Sequence, residues 1–226
     1  MSADVVRGRL ADRAVVTRAA VAVAVLLAAL GVAVSVAAAP AVVSSTTFSL
    51  FANKGLLNCA QASGKTATAK ATVVRGSSND TLTLTLSGFK PNLGFDMFTV
   101  ERSNQTASGA AVSGFTNFGM AWYQSDVQTS SAGTASVSIK TILLDQIFGF
   151  DPKVSLAPTQ TLHVGFWFDS VAQAQPCSAT KLAATPFNGE HTAGPVAFIT
   201  RPNATTGLGP LCTQPVSSGG TFKCHP

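Results

Sequence analysis

Thr81–Ser87 reads TLTLTLS. Successive side chains of an extended chain point to opposite faces, so Leu82, Leu84 and Leu86 share one side and Thr81, Thr83 and Thr85 the other. The stretch predicts a half-buried strand with a dry face and a wet face. The same period extends outward. ATAKATVVR, Ala67–Arg75, sets small apolar residues against Thr68, Lys70 and Thr72, and GSSND, Gly76–Asp80, joins the two runs as a hairpin-like turn. GTASVSIK, Gly133–Lys140, sets Ala135, Val137 and Ile139 against Thr134, Ser136 and Ser138. FDMFTVE (Phe95–Glu101), FGMAWYQ (Phe118–Gln124), TILLDQIF (Thr141–Phe148), TLHVGFWF (Thr161–Phe168) and VAFIT (Val196–Thr200) are further strand candidates.

About eight or nine short strands separated by Gly, Pro, Asn and Ser turns predict an all-β fold, a single antiparallel β-sandwich with Greek-key or meander links. The one helical candidate after the leader is SVAQAQ, Ser170–Gln175. From Arg201 onward the chain has no periodicity and reads as a coil pinned by a disulfide.

The first 41 residues read differently. Arg7, Arg9, Arg13 and Arg18 precede an uncharged run from Ala19 to about Val43, the layout of a secretory signal. Ala39-Pro40-Ala41 meets the small-x-small rule, and cleavage after Ala41 is the preferred site. The run is also long enough to span a bilayer of roughly 30 Å as an anchor, with the arginines on the cytoplasmic side. Both readings deliver the rest of the chain outside the cytoplasmic membrane. The expected organisation is a signal peptide or signal anchor over 1–41, a β-sandwich domain over 42–200 and a tail over 201–226.

Beyond the leader 11 basic and 8 acidic residues remain, scattered along the chain. Without a basic cluster the composition excludes nucleic acid as a partner, and it leaves the membrane only the N-terminal segment. All four cysteines, Cys59, Cys177, Cys212 and Cys224, follow the leader. An even count in an exported chain predicts two disulfides with three possible pairings, of which Cys59–Cys177 and Cys212–Cys224 are preferred.

Few residues suggest chemistry. SGKT, Ser63–Thr66, has the end of a phosphate-binding loop, but the glycine required five residues before Gly64 is Cys59. No G-x-S-x-G or H-E-x-x-H motif occurs. Alternation in TLHVGFWF sends Leu162, Val164, Phe166 and Phe168 into the core, and His163, Gly165, Trp167 and Asp169 the other way. Joined by Glu190 and His191 from the loop PFNGEHTAGPV (Pro186–Val196), His163 and Asp169 would make a mixed nitrogen and oxygen site of the kind zinc or copper accepts, or an acid/base pair. The plainer expectation gives them structural work, with no cofactor: a satisfied strand histidine, an N-cap and an ordered turn. Trp122, Tyr123 and Trp167 are candidates for a saccharide platform, although most aromatics in a chain with 14 Phe belong to the core.

The segments LHVGFWFDSVAQAQPC and TPFNGEHTAGPVAFIT, with GMAWYQSDVQTSSAGTASVSI, carry a "WFxS" strand and an "FNGEHxAG" loop. In these the chain resembles a group of uncharacterised exported bacterial β-sandwich proteins. The resemblance implies a secreted β domain and brings no activity. LHVGFWFD is also faintly similar to the ligand strand of copper/zinc superoxide dismutases, but Gly165 stands where the second histidine belongs. The leading expectation is a secreted or surface-tethered, non-enzymatic module that binds an extracellular protein or glycan. The alternative is an extracytoplasmic metal protein or metal-dependent enzyme using His163, Asp169, Glu190 and His191.

Overall fold

The computed structural model describes residues 45–76, 78–141, 161–185 and 193–212, all inside one compact unit, Pro40–Pro226. The leader, Glu190, His191, Cys224 and all of TILLDQIF after Thr141 lie outside the described residues. The strands are β1 (Ser45–Ala52), β2 (Thr68–Val74), β3 (Asp80–Ser87), β4 (Gly94–Val100), β5 (Ala121–Gln128), β6 (Ala135–Thr141), β7 (Thr161–Phe168), β8 (Val196–Ile199) and β9 (Leu211–Cys212). Two helical turns accompany them, α1 (Leu57–Ala60) and α2 (Val171–Ala174). No helix among the described residues is long and apolar enough to cross a membrane.

The fold is antiparallel β throughout, as the alternation predicts, but its arrangement differs from two separate layers. The strands follow one continuous path, β5-β4-β7-β8-β1-β2-β3-β6, with β9 beside β7. The two ends of that path, β5 and β6, come close to each other, so the sheet is nearly closed and barrel-like. Continuity depends on β1. Ser45–Leu50 pair with β2, and Phe51 and Ala52 pair with Ile199 and Phe198 of β8.

The inner face is the larger core. Leu82, Leu84 and Leu86 of β3 meet Ala69, Ala71 and Val73 of β2, while Phe48 and Leu50 of β1 and Phe95 and Met97 of β4 complete the walls. Its centre is aromatic: Phe166 and Phe198 stack with centroids 5.2 Å apart, and Phe89 sits 5.1 Å from Phe198. The wet face of β1, β2, β3 and β6 carries hydroxyls that bond across the strands. Thr47 pairs with Thr72 (2.9 Å), Thr68 with Ser87 (2.8 Å) and Thr83 with Ser138 (3.0 Å). Cross-strand pairs of this kind contribute a few tenths of a kcal/mol up to about 1 each.

The end of the barrel near Phe89 is closed by backbone contacts. Phe89 N–H donates to Gly133 O at 3.1 Å, and Thr129 Oγ1 accepts from Leu93 N–H at 2.8 Å while donating to Lys90 O at 2.8 Å. Gly133 has φ 73°, and a Cβ there would lie 2.0 Å from Phe89 O, so only glycine allows this approach.

Cys59, at the buried end of α1, is bonded to Cys177 just after α2. A bond of this kind belongs to an oxidising, extracytoplasmic setting. α2 and the 3-10 turn Gln175–Cys177 occupy the stretch where a helix was expected, with Ser170 rather than Asp169 at the N-cap and no side-chain cap bond. The tail is less of a coil than expected, because Leu211 and Cys212 pair with Leu162 and Thr161.

Candidate functional site

β7 is buried on both faces. Leu162, Val164, Phe166 and Phe168 enter the main core, as their spacing predicts. The opposite face, expected to be polar and available, forms a second apolar cluster of Phe98, Val100, Trp167, Ala193, Val196 and Ile199. Trp167 is fully buried, so it is not a surface platform for a saccharide. Trp122 is half-buried against the main core, and Tyr123 alone of the three presents an exposed ring. The Tyr123 hydroxyl donates to Asp126 Oδ1 at 2.7 Å; partial burial, then that bond, pushes its pKa up to about 12.

The ring of Trp167 nevertheless organises the surface above it. It meets Phe98 at 5.4 Å and Phe118 at 5.0 Å, both edge-on, and Phe118 in turn meets Phe115 at 4.8 Å. Gly165 makes room for it, since a Cβ there would lie 2.8 Å from the indole. A train of rings thus runs from the buried strand to the half-buried Phe115 in the link between β4 and β5.

That link, residues 101–120, is fastened by polar groups. Gln105 is buried, donates from Nε2 to Phe51 O (3.1 Å) and Ala52 O (3.0 Å), and accepts from Arg201 Nε (2.9 Å). The Arg201 guanidinium also lies 3.9 Å over the Phe51 ring, a cation–π contact. Ser103 Oγ donates to Thr200 O at 2.8 Å.

Two clefts open beside this fastening. The first, about 350 Å³, is lined by Asn53, Asn104, Phe115, Asn117, Phe118 and Thr185 among others, with no charged side chain among the described residues of its lining. The second, about 310 Å³, is lined by Asn53, Lys54, Gly55, Asn104, Gln105 and Gly109 among others. Asn53 and Asn104 line both. Asn104 Oδ1 is buried without a hydrogen-bond partner among the described residues. Asn53 Nδ2 donates to Val196 O at 3.4 Å, and Asn117 Nδ2 to Thr116 Oγ1 at 3.2 Å.

The metal constellation does not assemble among the described residues, where no three His, Cys, Asp or Glu come together. His163 and Asp169 stand near opposite ends of β7, six residues apart, or about 20 Å at strand rise. Both cannot bind one ion. Their proposed companions, Glu190 and His191, lie outside the described residues, between Thr185 and Ala193, whose backbones are bonded (Thr185 N–H to Ala193 O, 2.8 Å). We expect mass spectrometry of protein purified from its native host to find no stoichiometric zinc or copper. A stoichiometric metal lost in His163→Ala would overturn this.

His163 is instead a buried structural residue. Its Nδ1 lies 2.9 Å from Thr200 Oγ1, and that oxygen also accepts from Val164 N–H at 3.2 Å. The contact serves either tautomer, since the Thr200 hydroxyl can donate to a bare Nδ1 or accept from Nδ1–H. Burial pushes the pKa down to about 4, with the Thr200 backbone opposing. The folded value lies below the unfolded one, so the unfolded chain takes up the proton first as pH falls. The contribution is complete above about pH 6.5 and lost progressively down to about pH 4, amounting to roughly 3 kcal/mol. Urea unfolding between pH 7.5 and 4 should show this loss in the parent and a shallower one in His163→Gln. Equal slopes would contradict the assignment.

The sequence carried one overlooked signal for the clefts. A link of 20 residues between two strands exceeds the roughly 12–15 residues beyond which a loop in a compact domain is uncommon and often functional. No family model matches the chain, and neither the curated proteins nor the solved structures provide a match.

Proposed function

We propose that this protein is an exported, non-enzymatic binding module that takes its ligand in the two clefts around Asn104. The observation that carries this reading is the pair of clefts, about 350 and 310 Å³, whose linings share Asn53 and Asn104 and bring amides and hydroxyls beside the ring of Phe115. Clefts of 300 Å³ or more with a few convergent polar groups are ordinary binding sites. Export is supported by the arginine-led apolar leader, by the Cys59–Cys177 bond and by the resemblance to exported bacterial β proteins. The module is secreted or tethered by its leader. A binding role fits the amides, hydroxyls and phenyl rings among the described residues that line the clefts, where Lys54 of the second is the one charged side chain.

The test is an NMR screen of small polar fragments against the isotopically labelled protein. Shift changes should gather at the amides of Asn53, Asn104 and Phe115 and disappear in Asn104→Ala. Hits gathered elsewhere, or fragments converted to products, would remove the reading.

A further inference from the structure

Beyond the clefts, we infer that the outer face of β1, β2, β3 and β6 docks an anionic polymer of phosphodiester-linked polyols. The observation behind it is how the fold sorts charge. In sequence the cations are scattered, but residues 45–90 together with β6 hold Lys54, Lys65, Lys70, Arg75, Lys90 and Lys140 against one carboxylate, Asp80. Asp80 is buried and accepts from Gly76 N–H at 3.3 Å. The other carboxylates of the described residues, Asp96, Glu101, Asp126 and Asp169, belong to β4, β5 and the ends of β4 and β7. Among the described residues, one half of the barrel is cationic and the other carries the acids.

The docking end is the one at Thr68 and Ser87. Lys70 is exposed on the outer face of β2, opposite Ser49 of β1 and Thr85 of β3. Lys65 and Lys90 are exposed too, and the backbone holds them at this end: Ala62 N–H donates to Gly88 O at 3.0 Å and Lys90 N–H to Ala60 O at 2.8 Å. Thr141, the last described residue of β6, pairs with Asp80 at the far end. Around the lysines the outward hydroxyls form a grid, roughly 5 Å apart across strands and 7 Å along them. In a bonded pair such as Thr68–Ser87 one O–H is used and the other remains to donate.

The charge calls for an anionic partner, and the donor types select phosphate. Ammonium and hydroxyl groups donate without a fixed plane, which suits tetrahedral phosphate, whereas planar carboxylates favour a guanidinium fork. No arginine stands among the described outward residues of these four strands. Nucleic acid and an anionic bilayer are the competing occupants. Phe51, the exposed ring at this end, already lies under the Arg201 guanidinium, which disfavours both a stacking platform for bases and an apolar wedge for lipid.

The experiment is calorimetric titration of the purified protein with poly(glycerol phosphate), and with polygalacturonate, single-stranded DNA and phosphatidylglycerol vesicles as the other probes. Poly(glycerol phosphate) should bind most tightly. Raising salt from about 50 to about 200 mM should weaken it at least tenfold, because each neutralised phosphate regains its counterion. Lys65→Gln, Lys70→Gln and Lys90→Gln combined should weaken it at least tenfold, while Lys181→Gln, at an exposed lysine outside this sheet, should change it less than twofold. All three lysines are exposed, so the variant should keep the parent's urea midpoint. The inference falls if the polymer does not bind at the lower salt, if the triple variant keeps its affinity, if Lys181→Gln weakens binding as much, or if another probe binds more tightly. Neither result bears on the clefts, whose linings include none of the three lysines.

Discussion

Replacing Cys59 and Cys177 together by alanine should lower stability by about 4–5 kcal/mol, the largest loss expected from any change in this chain. The bond joins residues 118 apart in sequence. Without it the unfolded chain regains the freedom of that whole loop, and the entropic cost of closing it returns to the folding equilibrium. Alanine is the right substitute because Cys59 is buried, and serine would add an unsatisfied hydroxyl to the loss. Urea unfolding of parent and double variant, each with and without reductant, separates the effects. The parent should fall to the level of the variant on reduction, and the variant should not respond to reductant through this pair. A parent indifferent to reduction would show that the bond contributes little.

Trp167→Ala should cost about 3–5 kcal/mol, the range for truncating a fully buried aromatic. Its effect should also travel. Phe118 loses the ring it rests on, and Phe115 loses Phe118 as a fixed neighbour. Hydrogen exchange across residues 113–120 should therefore quicken by more than the global destabilisation explains, while the β2–β3 hairpin, which shares no side chain with this cluster, follows the global change alone. Trp167→Phe should restore most of the stability. A loss under about 1 kcal/mol in the alanine variant would mean that the cluster closes over the gap.

The sequence spoke clearly where one face of a strand meets water. Leu82, Leu84 and Leu86 against their threonines, and Val137 and Ile139 against their serines, lie as the period-two reading has them. It misled where both faces are covered. His163 and Trp167 share a side of β7, and a polar residue on an alternate face reads as exposure; a loop from another part of the chain buries that face, and such cover leaves no periodic trace in the strand itself. The same holds for the architecture. β1 was not picked out as a strand, although Phe48 and Leu50 alternate with Thr47 and Ser49, and nothing local marks the change of partner after Leu50. The clefts were illegible because they arise from side chains brought together from four separate segments, and only the length of the link between β4 and β5 hinted at them.

The divided pairing of β1 also sets the order in which the molecule can be assembled. A chain that emerges from the ribosome N-terminus first delivers β1, β2 and β3 early, and these can zip together from neighbouring sequence. Phe51 and Ala52 must wait for Phe198 and Ile199, and Cys59 must wait for Cys177. Both closures span most of the described chain, and contacts of such long range form late. Until then the end of β1 is an open edge carrying an exposed phenylalanine, the kind of surface through which nascent β proteins find wrong partners. The interval between arrival of the hairpin and arrival of β8 is thus the vulnerable period in the life of this protein, and whatever speeds delivery of its C-terminal third shortens it.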